Sequence, residues 1–186
     1  MTELDRMAAL AATQRARLFS RLGSRVDLVL SSDRRTKAWL TGYASMMHDV
    51  APEVRSAVIA GRNLLALVTT AADAGPALEA LDPSSAIYRY GEFYFTPPPG
   101  AGPSALTAPA HNSFEAALLA ALSASLTETG GVGVERSADG VLWALCQEKL
   151  GAERVVDITA DIQALRAVKT EGEIGNPFGT KFFLAK

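Results

Sequence analysis

The sequence predicts an α/β fold, a mixed sheet covered by helices on both faces. Three observations predict it. Amphipathic stretches with helical spacing alternate with short apolar runs towards both ends of the chain. Between them, two apolar runs at 54–60 and 64–70 meet at Gly61-Arg62-Asn63 and read as an antiparallel hairpin, so the sheet is not purely parallel. The chain has 186 residues, 48% hydrophobic and 20% charged, which suits one sizeable domain with a real core.

Each element has its own signal. Residues 3–22 are an amphipathic helix, with Leu4, Met7, Ala8, Ala11, Leu18 and Leu22 on one stripe and Arg6, Arg15, Arg17 and Arg21 on a solvated face. An apolar strand follows at 26–30. Ser31-Ser32-Asp33 offers caps for a short helix that ends at Leu40-Thr41-Gly42-Tyr43, where the glycine suits a C-terminal cap. After the hairpin, residues 72–81 form a helix with Gly75-Pro76 in its first turns. Ile87-Tyr88-Arg89-Tyr90 and Phe93-Tyr94-Phe95 are strand-like, and residues 96–110, dense in proline, glycine and alanine, are loop. Asn112-Ser113-Phe114-Glu115 opens a helix as a capping box, with Glu three after Asn, and Phe114, Leu118, Leu119, Leu122 and Leu126 point inward. A strand at 131–135, a helix at 139–150 with Leu142, Leu145 and Cys146 towards the core, a strand at 154–157 and a helix at 158–169 complete the order.

Composition excludes several function classes. A net charge of −2 supplies no basic field for nucleic acid or an anionic membrane surface. No window approaches the ~18 apolar residues of a membrane helix. The charged start Met1-Thr2-Glu3-Leu4-Asp5-Arg6 is not a signal peptide, so a cytoplasmic protein is expected. One cysteine, Cys146, excludes an internal disulfide framework, and two histidines, His48 and His111, leave little for a metal site.

Candidate chemistry is sparse. Gly130-Gly131-Val132-Gly133 leads into a strand, whereas phosphate loops open a helix. Cys146, within Leu142-Trp143-Ala144-Leu145, reads as a packed core thiol. His48-Asp49 lies beside Met46-Met47 and is either a plain polar loop or one that faces a ligand or an interface. His111-Asn112 is expected to precede and cap the following helix. The rings of Tyr88, Tyr90, Phe93, Tyr94 and Phe95 have only Arg89 among them, opposed by Glu92, so they read as packing rather than base stacking. No metal set, nucleophile elbow or carboxylate pair can be assembled, and no catalytic residue is assigned.

Two segments resemble the creatinase/prolidase/aminopeptidase P family. Thr36-Lys37-Ala38-Trp39-Leu40-Thr41-Gly42-Tyr43 is similar to its early aromatic-Leu-Thr-Gly-aromatic motif. Leu165-Arg166-Ala167-Val168-Lys169-Thr170 with Glu173-Ile174 resembles the junction between its N-terminal and catalytic domains. The resemblance covers about residues 4–174. It implies a three-layer α/β/α domain with a mixed sheet and a ribonuclease H-like motif over residues 1–174. Residues 175–186 are then an atypical tail, added, frame-shifted or truncated.

The resemblance further implies a non-catalytic N-terminal domain of a proline-peptidase-like metallohydrolase. Its two divalent metals belong to a missing C-terminal catalytic domain, held there by Asp, Asp, His, Glu and Glu. It implies a homodimer in which the loop from Tyr43 to Pro52 reaches the neighbouring active site. The entrance or interface candidates are Trp39, Tyr43, Met47, His48 and Asp49, and the hinge is Arg166, Lys169 and Glu173. Creatinase places an aromatic and an arginine in that loop. This chain has Met46, Met47, His48 and Asp49, with no arginine before Arg55, which points away from creatine and towards a peptidase-like or an undefined substrate. Plain interface packing is the other reading of the loop. From a different class, the chain could instead be a stand-alone small-molecule-binding or protein-interaction module built on 88–95 and the proline-rich loop. By fold analogy alone, a nuclease would need Asp27, Glu135 and Asp157 to cluster.

Overall fold

In the computed structural model, which describes residues 2–92, 110–127 and 129–174, the chain opens on helix α1 (Glu3–Leu22). Strand β1 (Leu28–Ser31), helix α2 (Arg34–Thr41) and a single helical turn α3 (Met47–Val50) follow. The hairpin β2 (Ala57–Gly61) and β3 (Leu65–Thr70) leads to α4 (Ala74–Ala80), β4 (Ala86–Tyr90) and α5 (Phe114–Ser125). The remaining elements are β5 (Val132–Val134), α6 (Gly140–Leu150), β6 (Val155–Asp157), α7 (Thr159–Ala167) and the short α8 (Glu171–Ile174). The expected strand at Phe93-Tyr94-Phe95, most of the proline-rich loop and the tail 175–186 lie outside the described residues.

The six strands form one sheet in the order β4-β3-β2-β1-β5-β6. β1 pairs antiparallel with β2, and β2 with β3. The pairs β1–β5, β5–β6 and β3–β4 are parallel, so the sheet is mixed as the hairpin requires. Strand residues alternate between two cores. Val29, Val58, Ala60, Leu65 and Leu67 face Leu18, Leu22, Trp39, Leu40, Ala77 and Ile162 on the side of α1, α2, α4 and α7. Leu28, Leu30, Ile59, Ala66 and Val68 face Phe114, Leu118, Leu122, Leu142 and Cys146 on the side of α5 and α6. Because both faces are buried, the strands read as unbroken apolar runs rather than as alternating ones.

The helix ends follow from the sequence. Thr2 and Asp5 make a reciprocal capping box at the start of α1, at 3.1 and 2.6 Å. Asp33 caps α2 by accepting the Thr36 N–H at 2.7 Å, and Gly42 closes it at φ 73°. Ser113, not Asn112, caps α5 by accepting the Ala116 N–H, while Glu115 turns to Arg55. His111 instead bridges to Tyr90 and continues the sheet edge. Ser113→Ala is therefore expected to cost about 1 kcal/mol in urea denaturation, and Asn112→Ala far less.

Helix α1 departs from its expected stripe. Leu4 is half exposed, whereas Gln14 and Phe19 are buried. Of the arginines expected on the solvated face, Arg6 is exposed as expected, whereas Arg15 donates to the Leu40 carbonyl at 2.6 Å and Arg21 to Asp161 at 2.7 Å, fastening α1 to its neighbours. A long guanidinium stem lets a residue leave the apolar stripe and still make a tertiary contact.

Candidate functional site

The loop after α2 is fixed to the sheet by a buried polar network. The Thr41 hydroxyl donates to the Lys37 carbonyl at 2.7 Å and accepts the Tyr43 N–H at 3.0 Å, which sets the exit direction of the chain. The Tyr43 hydroxyl then donates to Asp73 at 2.6 Å, and Thr69 donates to the other Asp73 oxygen at 2.9 Å. Burial, followed by the Asp73 contact, pushes the Tyr43 hydroxyl well above its ordinary pKa. With both oxygens of Asp73 so used, its side chain makes no cap bond at the start of α4.

Lys37 is the centre of the network. Only 5% exposed, it lies on the buried stripe of α2 with Trp39, Leu40 and Thr41. Its Nζ meets His48 Nε2 at 2.6 Å, the Ser56 carbonyl at 3.3 Å and the Ser56 hydroxyl. The Ser56 hydroxyl is also 3.0 Å from His48 Nε2. Burial lowers the Lys37 pKa to about 8, with Asp33 and Asp73 resisting the shift. Burial also lowers that of His48, helped by the Lys37 and Arg34 cations and opposed by Asp73 and Asp49. Asp49 closes the turn with a 2.6 Å ion pair to Arg34, an exposed contact worth at most about 1 kcal/mol.

Segment 43–52 is therefore held at Tyr43, His48 and Asp49. Met47 is half-buried, while Met46 and Val50 stand out at 77% and 73% exposure. Trp39 belongs to the core beneath the segment, and its indole N–H has no hydrogen-bond partner among the described residues. Lys37 and Ser56 have the atom types of a nucleophilic pair, but at 5% and 4% exposure no substrate carbonyl reaches the hydroxyl. The network's chemistry is positional.

The junction residues are fastened rather than free. Arg166 donates to Asp33 at 3.2 Å and Thr36 at 3.0 Å, which ties α7 to the start of α2. Glu173 is buried and makes a reciprocal capping pair with Thr170, accepting its N–H at 2.8 Å. Lys169 lies 4.0 Å from Glu173, and Arg17 of α1 lies 3.9 Å from it. Gln14, also on α1, reaches Thr170 at 3.4 Å.

The remaining candidates disperse. Asp27 accepts the Gly131 N–H at 3.2 Å at the start of β1, whereas Glu135 and Asp157 sit at the ends of the parallel strands β5 and β6. That is the opposite end of the strands, about 13 Å away at 3.3 Å per residue, so the nuclease cluster does not form. Glu135 instead accepts from Ser31, and burial raises its pKa. Cys146 is a buried thiol pushed up to about 11 by burial, with Asp139 adding to the shift. Tyr90 packs edge-on to Phe114 and donates to the Arg55 carbonyl at 2.6 Å, and Tyr88 stacks on His111. Among the described residues, no three His, Cys, Asp or Glu side chains are grouped to hold a metal ion. No helix among them is long and apolar enough to cross a membrane.

No family profile and no curated protein sequence matches the chain. Solved structures do. A Xaa-Pro dipeptidase from Bacillus anthracis matches with a TM-score of 0.60 at 13% identity, over 88% of this chain and 38% of that one. An X-Pro aminopeptidase from Thermotoga maritima matches with a TM-score of 0.59 at 15% identity, over 88% and 37%. The N-terminal, creatinase/prolidase-like domain of a putative metallopeptidase from Corynebacterium diphtheriae matches with a TM-score of 0.51 at 14% identity, over 79% and 94%. The chain thus spans little over a third of the two longer peptidases but nearly all of the separate domain. With its mixed sheet between two helical layers, it has the fold of the creatinase/prolidase-type N-terminal domain.

Proposed function

We propose that this chain is the non-catalytic N-terminal domain of a Xaa-Pro-type metallohydrolase, and that in a homodimer it presents segment 43–52 at the neighbouring subunit's active-site entrance. The observation that carries the reading is the segment itself. Three side chains fasten it to α2 and to the start of α4 while Met46 and Val50 are exposed. A polar network spent on holding a short turn with two exposed apolar side chains suits a contact surface. The fold likeness to prolidase and aminopeptidase P supports the same reading. Residues 1–174 form this domain, the two divalent metals belong to a catalytic domain beyond it, and a reducing cytoplasm fits the single buried thiol.

Purified chain incubated with Xaa-Pro peptides and Mn²⁺ or Co²⁺ is expected to show no turnover. The reading frame downstream of Lys186 is expected to encode an Asp, Asp, His, Glu, Glu ligand set. Metal-dependent hydrolysis by the chain alone, or a downstream sequence without those ligands, refutes the reading.

A further inference from the structure

We propose that His48 is an acid-sensitive latch: as a neutral imidazole it holds segment 43–52 against Lys37 and Ser56, and its protonation releases residues 46–51 from α2 and Ser56. The latch is a property of this chain alone. Its consequence for a neighbouring active site rests on the function proposed above.

The argument begins with donors and acceptors. An ammonium group has three protons and no lone pair. Lys37 Nζ faces three acceptors: the Ser56 carbonyl, the Ser56 hydroxyl and His48 Nε2. Nε2 must therefore offer its lone pair, which places the imidazole proton on Nδ1. A proton on Nε2 would set an N–H against an ammonium at 2.6 Å, two donors and two positive charges in contact.

Asp73 and Asp49 favour an imidazolium, but burial and the Lys37 and Arg34 cations outweigh them. Lys37 and Arg34 of α2 are cations, and Asp33 at the α2 cap is engaged with Arg166 and the Thr36 N–H. Ser56, just before β2, is neutral. Asp73, from the α4 cap, already accepts from Tyr43 and Thr69. Asp49, on the same turn as His48, is paired with Arg34. Protonation therefore expels the ring rather than rebuilding the contact. Once it leaves, residues 46–51 keep the exposed Asp49–Arg34 pair and short-range bonds within 45–54, among them Met47 N–H to the Ser45 hydroxyl and Val54 N–H to the Ala51 carbonyl, while Tyr43 stays anchored on Asp73.

The response is one-sided. The folded pKa of His48 lies below the ordinary 6.5, so its contribution is complete above that pH and is lost as pH falls through the folded value. On the alkaline side Lys37 loses a proton near pH 8, but a neutral amine still has two N–H groups and the contact persists.

The test follows amide hydrogen exchange of peptides covering 44–54 from pH 8 to 5, corrected for intrinsic rates, beside the His48 ring protons by NMR. The β2 peptide is the reference, and His48→Gln, which keeps an acceptor but cannot take the proton, is the control. Wild-type protection over 46–51 should fall by up to roughly tenfold per pH unit between 6.5 and the folded pKa, the one-proton limit, and level off below it. The ring should titrate below 6.5, the β2 peptide should not change, and His48→Gln should be flat. Titration of His48 at or above 6.5, or an equal acid loss in His48→Gln, overturns the latch. If that variant does not fold, the wild-type ring titration decides alone. Neither readout involves peptide hydrolysis or dimerisation, so failure of the latch and failure of the proposed function are distinguishable.

Discussion

Gly42→Ala is expected to destabilise the chain by about 3 kcal/mol, a fall in Tm of roughly 6–12 °C for a domain of this size. Two effects add. Gly42 sits at φ 73°, the left-handed region, where an L-residue with a Cβ costs about 1–2 kcal/mol. A Cβ there would also lie 2.8 Å from the Met7 carbonyl oxygen and 2.9 Å from its carbon. Those are backbone atoms inside α1, and no rotamer change moves them, so the two helices must separate. The separation pulls on the Arg15–Leu40 bond and on the start of segment 43–52. Gly42→Asn divides the two effects, because asparagine tolerates the left-handed region but carries the same Cβ. Urea denaturation should place Asn within about 1 kcal/mol of Ala, the αL saving. An Asn variant as stable as wild type would show that the helices accommodate the Cβ.

The same position illustrates what was legible beforehand. Leu-Thr-Gly-aromatic announced a helix end, because glycine after an apolar stripe has one common backbone use. The hairpin, the mixed sheet and the longer helices were equally legible, since each rests on local periodicity, whereas the single turns α3 and α8 are too short to show one. The polar network was not. Lys37 sits at helical spacing from Leu40 and Thr41, so its burial had a signal. A lysine is so seldom buried that this spacing alone does not point to it. Ser56 and Asp73 carry no local pattern at all, since their partners lie 19 and 30 residues away. The arginines of α1 failed for the same reason: a guanidinium on a polar face looks alike whether it meets water or Asp161. The cap at Ser113 rather than Asn112 was a shift of one residue between two good capping residues. The entrance candidates Tyr43, His48 and Asp49 came from the resemblance, and the structure adds that all three are anchored side chains. The exposed pair on that segment is Met46 and Val50, which the resemblance did not single out.

Lys37→Met is expected to abolish a rise of stability with pH that wild type should display above pH 8. The sign follows from linkage. Lys37 has a folded pKa of about 8 against 10.5 for the free side chain. Between those values the unfolded chain binds a proton that the folded chain does not, so unfolding becomes harder as pH rises. The limiting slope is about 1.4 kcal/mol per pH unit, and the full interval amounts to about 3 kcal/mol. Other groups act in the opposite sense. Cys146 and Tyr43 have folded pKa values raised by burial, so their contribution is lost as pH climbs through 9 and beyond. The quantity to measure is therefore the difference between wild type and Lys37→Met in urea denaturation from pH 7 to 9.5, where the shared groups cancel. Methionine keeps the apolar stem, so this difference isolates the ammonium. Lys37→Ala removes the stem as well and should cost about 3 kcal/mol at pH 7, the range for emptying a buried site. A difference curve that is flat from pH 8 to 9.5 would mean that Lys37 titrates as an ordinary surface lysine. A buried ammonium that lowers stability at neutral pH would be replaced by methionine without loss if packing were its only task. Its three bonds reach Ser56, just before β2, and His48 on the turn, which makes the position of segment 43–52 the property that the cost secures.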